Sequence, residues 1–142
     1  MVHAHAARAR ALFAAALIPL AVTSCGTSAD APATPADLLS QRDELPSCGV
    51  LELDQGEVVP EAAWDCLDEG SEAGAELVVS MPTTEGDPIV TYYRVGAGIE
   101  GLELFIDNSA DVWAGPDNRG VSHQLCPATA TAREPLGCRE VT

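Results

Sequence analysis

Residues 75–106 read AELVVSMPTTEGDPIVTYYRVGAGIEGLELFI, and this stretch decides the fold. "AELVVSM" (75–81) alternates Leu77, Val79 and Met81 against Glu76 and Ser80, the period-two pattern of a half-buried strand. "PIVTYYRV" (88–95) is β-branched and aromatic, and "IEGLELFI" (99–106) sets Leu102, Leu104 and Ile106 against Glu103. The link "PTTEGDP" (82–88) has turn composition, and "GAG" (96–98) is a hairpin signal. Three strands joined in this way predict an antiparallel meander. Its apolar face must be covered by another element.

The cover is expected from "VPEAAWDCLDEGSEAG" (59–74), which reads as a helix. Pro60 suits a first turn. Ala63, Cys66 and Leu67 share a face with Trp64 at its edge, and Gly70 and Gly74 can end it. Upstream, "SCGVLELD" (47–54) has strand character and runs into the turn "DQGE". "PADLLSQRDEL" (35–45) predicts a short helix with Leu38, Leu39 and Arg42 near one face. The tail predicts one strand near 121–126 and a loop pinned by Cys138. The expected fold class is therefore α+β: a small antiparallel β-meander with one covering helix, disulfide-stapled, over residues 38–142.

The chain has 142 residues and five cysteines. Cys48, Cys66, Cys126 and Cys138 make an even set in the body, which suits an oxidising, exported location. Three pairings are open. Cys48–Cys66 with Cys126–Cys138 is preferred, because each closes a short local loop. Such a bridge contributes about 3 kcal/mol through loop-closure entropy. That matters where the core is small. No C-x-x-C or Cys/His cluster has zinc spacing.

The fifth cysteine, Cys25, stands apart. Residues 1–10, MVHAHAARAR, are basic, and residues 11–22, ALFAAALIPLAV, are apolar. That run is too short for a spanning helix, which needs roughly 20 residues. It reads as a signal peptide over residues 1–24. The run ends in Val22-Thr23-Ser24-Cys25-Gly26, which resembles the lipobox of bacterial lipoproteins, with Val22 in place of the commoner leucine. The resemblance implies cleavage before Cys25 and a diacylglyceryl group on its sulfur. Two acyl chains give stable anchoring where one is marginal. Residues 25–37 then form the lipidated cysteine and a flexible tether of small residues, prolines and aspartates. The expected location is the extracytoplasmic face of the cell membrane.

Charge is one-sided: 22 Asp and Glu against seven arginines, and no lysine. Removing residues 1–24 leaves five arginines against all 22 carboxylates. Nucleic acid is excluded as a partner, since phosphate binding needs a basic footprint.

Two acidic turns stand out, "TTEGDPI" (83–89) and "IDNSADVWAG" (106–115). This pair of turns, over roughly residues 75–115, is similar to an uncharacterised domain of unknown function seen in bacterial lipoproteins and exported proteins. The resemblance implies a small α+β domain at the cell surface and carries no known activity. Physically, Gly86 permits positive φ, Pro88 fixes its own φ, and Asp87 can bond nearby backbone amides, so "TEGDP" serves first as a turn. If 88–95 pairs with 99–106, the residue opposite Pro88 falls near 106, and both turns share one end of the sheet. Glu85, Asp87, Asp107, Asn108, Asp111 and Trp113 are then the expected binding surface for an envelope protein or ligand. The alternative reading places Ca²⁺ on Glu85, Asp87, Asp107 and Asp111. The EF-hand pattern is not met, because Val112 occupies its glycine position. Trp113 is expected to close the open end of the core.

No catalytic constellation is visible. His123 is the single histidine beyond the leader and is expected to be an exposed strand residue. G-x-S-x-G, phosphate loops and dinucleotide fingerprints are absent. A low aromatic content offers little for stacking sugars. The expected function is a lipid-anchored binding or accessory module, not an enzyme, with no cofactor other than Ca²⁺ in the alternative reading as a Ca²⁺-binding surface protein; a small hydrolase using His123 is the third and least favoured reading.

Overall fold

The computed structural model describes residues 35–116 and 118–141, all within one compact unit. The signal peptide, Cys25 and most of the tether lie outside the described residues. The element order is α1 (Pro35–Gln41), β1 (Ser47–Glu52), α2 (Glu61–Glu69), β2 (Ala75–Pro82), β3 (Pro88–Gly96), β4 (Ile99–Asp107), β5 (Val121–Cys126) and β6 (Arg139–Glu140). α1 thus begins within the last residues assigned to the tether.

The six strands lie in sequence order in one sheet. β2 to β6 pair antiparallel, as the alternation predicts. β1 pairs parallel with β2 through the α2 crossover. The fold is a small, disulfide-stabilised α+β structure dominated by its sheet. The short helix expected within 35–45 is α1, and the departure from a plain antiparallel meander is the parallel edge that β1 adds.

Register sets the faces. Leu77 opposes Tyr93, Tyr93 opposes Leu104, and Val95 opposes Leu102, which in turn opposes Cys126. All of these side chains point to one side, because strand side chains alternate. α2 covers this side with Ala63 and Leu67, four residues apart on one helix face. Leu67, Leu77, Leu102 and Cys126 are fully buried. Trp64 meets Tyr93 edge-on with ring centroids 5.3 Å apart. Pro60 is the N-cap of α2, one residue before the expected first turn, and Gly70 closes the helix with its N–H donated to Cys66 O.

Both preferred disulfides form. Cys48–Cys66 joins β1 to α2, and Cys126–Cys138 joins β5 to the tail. A further clamp comes from Arg133, whose guanidinium pairs with Glu61, Asp65 and Asp68 along α2. It folds the 131–136 segment against the helix, with Ala132 in the core.

The hairpin between β3 and β4 is tight. Gly96 opposes Ile99, and Ala97 and Gly98 both have positive φ, 51° and 90°. Two positive φ values in a two-residue link are the type I′ arrangement, which matches strand twist. A Cβ on Gly96 would lie 2.7 Å from backbone atoms of Gly70, Ser71 and Gly74, so this glycine lets the loop after α2 pack on the hairpin.

Candidate functional site

Two regions carry chemistry: the rim holding both acidic turns, and the sheet face opposite α2.

At the rim, Val90 opposes Asp107, which places the 82–88 turn and the 108–120 loop at the same end of the sheet. The register is offset by three residues from the expectation that Pro88 faces 106, yet the juxtaposition holds. Asp87 Oδ2 accepts a hydrogen bond from Val112 N at 3.0 Å, tying one turn to the other. The Asp87 N–H donates to Thr83 Oγ1, and Thr83 N donates to Asp87 O. Asp107 Oδ1 accepts from Ser109 N and Oγ. Asp111 Oδ1 accepts from the N–H groups of Trp113 and Ala114. Asn108 Oδ1 accepts from Gly120 N, and its amide donates to Asn118 O. Glu85 accepts from Thr84 Oγ1. These are turn-forming contacts in the manner of Asx turns. Among the described residues no three His, Cys, Asp or Glu side chains are placed to hold one ion.

The loop is further pinned by Arg119, whose Nη2 donates to Val112 O and Ala114 O. This scaffold presents Val112 and Trp113 outward, 63 and 74% exposed. Trp113 therefore does not close the core. The segment's backbone is bonded to Asp87 and Asp111, and Leu104 and Ile106 take their places in the core cluster without it.

The opposite face holds what sequence reading missed. Glu76, Arg94 and Glu103 are direct neighbours across β2, β3 and β4. Arg94 Nε lies 3.1 Å from Glu76 Oε2, and its Nη1 donates to Glu103 Oε2. Glu103 Oε1 lies 2.9 Å from His123 Nε2 on β5. Arg42, just after α1, donates Nε and Nη2 to the two Glu76 oxygens and lies over the Tyr92 ring. The hydrogen bond to Glu76 holds the Arg42 guanidinium above its ordinary pKa. The row Arg42–Glu76–Arg94–Glu103–His123 thus runs across four strands, each side chain meeting the next.

His123 corrects the expectation of an exposed strand residue. It is only 9% exposed and stacks flat on Phe105, centroids 4.3 Å apart. Arg94 is 5% exposed. Phe105 and His123 are register partners, and α1 packs against β5. The one legible signal is spacing: Glu76 and Glu103 sit off the apolar alternation of their strands, whereas His123 alternates with Val121 and Leu125. Sequence alone does not say that a second helix covers that side.

No family model, no curated protein and no solved structure matches this chain. Among the described residues, no helix is long and apolar enough to cross a membrane.

Proposed function

We propose that this protein is a lipid-anchored, extracytoplasmic binding or accessory module without catalytic activity, held to the membrane through Cys25. Its contact surface is the rim formed by residues 83–87 and 107–113, offered to a protein or ligand of the cell envelope. One observation carries the reading: Val112 and Trp113 stand exposed side by side on a loop tied down by Asp87, Asp111 and Arg119. A rigid, exposed tryptophan supplies large contact area with little ordering penalty on binding, which is the character of an interface anchor. Carboxylates around it bias the partner towards basic chemistry. The paired disulfides accord with an oxidising compartment.

Two experiments test this. Metabolic labelling with a palmitate analogue marks the wild type and spares Cys25→Ala; labelling of both removes the anchor. A photo-crosslinking residue at position 113 of the full chain on intact cells gives a discrete adduct, and one at exposed Glu72 does not. Equal adducts at both positions, or none at 113, remove the rim as contact surface.

A further inference from the structure

Val112 and Trp113 form an exposed apolar pair on the rim, and the charge around them is one-sided. Glu85, Asp87, Asp107 and Asp111 stand in the two turns. The 54–57 turn adds Asp54 and Glu57 at the same end, where Gln55 Nε2 lies 3.5 Å from Thr83 O. Arg119 is the single arginine of the 108–120 loop, and its Nη2 is engaged by Val112 O and Ala114 O.

Two carboxylates are bonded to the backbone of the apolar pair itself, and each is half used. Asp87 Oδ2 accepts from Val112 N, and Asp111 Oδ1 accepts from Trp113 N and Ala114 N. Among the described residues nothing donates to Asp87 Oδ1 or Asp111 Oδ2. An exposed indole thus stands beside two open, charged acceptors. A neutral apolar surface would cover the indole and strand those charges, which is costly. A polyanion or an anionic bilayer is repelled. An ammonium satisfies a carboxylate as a compact, strongly hydrated point charge. A guanidinium does more: its N–H fork matches a carboxylate, and its flat face lies on an aromatic ring.

We propose, resting on the rim as the contact surface, that it takes an arginine side chain of a protein partner. The guanidinium stacks on Trp113 and donates to Asp111 Oδ2 or Asp87 Oδ1, and Val112 covers the aliphatic stem. The apolar pair supplies the contact area, and the charge selects what fills it.

Tetraarginine is the probe, with tetralysine and tetraglutamate as matched controls, titrated by NMR into the full ¹⁵N-labelled chain at low salt. The expected result is saturable shifts at the Trp113 indole N–H and the amides of 87 and 111–114. Tetralysine binds several-fold more weakly, and tetraglutamate has no effect. Trp113→Ala removes the stacking and weakens tetraarginine about fivefold. Asp111→Asn keeps an oxygen for the turn and removes the charge, so it weakens tetraarginine in a protein whose melting curve is unchanged. Equal binding of tetralysine overturns the proposal. So do undiminished binding by Trp113→Ala, and shifts spread evenly over the carboxylates of α2. A response of the Trp113 indole to neutral phosphatidylcholine vesicles, with none to tetraarginine, makes the ring a bilayer contact and also overturns it. A crosslinked adduct at position 113 beside any of these results removes the arginine and leaves the rim. Absence of that adduct removes the rim and the arginine with it.

Discussion

His123 Nε2 lies 2.9 Å from Glu103 Oε1 on a sheet face where both side chains are largely buried. Glu103 also takes Arg94, whose other side meets Glu76. Arg94 is thus the hinge of the ladder, and its removal leaves two carboxylates in a poorly hydrated place. Breaking such a pair by removing one partner costs about 3–5 kcal/mol, whereas replacing both with apolar groups is often close to neutral. Arg94→Met should therefore lower the urea midpoint sharply. Adding Glu103→Leu should restore much of the loss, and an additive double mutant would rule out this coupling.

The core tyrosine should report on alkaline pH. Burial pushes the Tyr93 hydroxyl above its ordinary value. The folded state then keeps the proton that the unfolded chain releases from about pH 10. Below about pH 10 both states hold the proton, so the contribution to stability is fully present and does not vary with pH. As pH rises past about 10, the unfolded chain ionises first, so stability falls until the folded hydroxyl also ionises. The melting temperature should decline in that window, and Tyr93→Phe should flatten the decline. An unchanged slope in Tyr93→Phe would assign it to other groups.

Two glycines with similar φ should respond differently to alanine. Gly86 has φ 97° and open space where a methyl group would stand, so Gly86→Ala meets only the backbone penalty of about 1–2 kcal/mol. Gly101 has φ 89°, and a methyl there would come within 2.5 Å of Cys126 O. Gly101→Ala should cost clearly more in denaturant unfolding, because β4 and β5 must separate locally.

The Asp-rich rim makes a prediction about ions. Asp87, Asp107 and Asp111 each accept backbone amides that shape their turns. Melting of the protein should be the same in EDTA and in millimolar Ca²⁺. A ligand at 100 times its dissociation constant stabilises by about 2.7 kcal/mol. A rise of several degrees, lost in Asp107→Ala, would instead establish Ca²⁺ at the rim.

Much of the fold is legible because the alternation of Leu77, Val79, Leu102 and Leu104 admits only one inward face. Short loops make the cysteine pairs legible too. The parallel placement of β1 is not, since nothing local distinguishes an edge strand that returns through a helix. Size alone makes Trp113 look like a core residue, but Asp111 and Asp87 claim the backbone around it, and the ring stands outside. His123 looks exposed because a lone polar residue on a strand usually is. Its burial depends on α1, which meets β5 from the opposite end of the described chain, a separation that pattern reading does not cross.

The Cys48–Cys66 bridge has a consequence for the outer edge of the sheet. β1 occupies the outer side of β2, and β2 carries Leu77 and Val79. The bridge fastens that edge to α2. Under reducing conditions β1 covers the edge of β2 through its ladder of hydrogen bonds alone. The bridge thus secures the border of the sheet as well as its core.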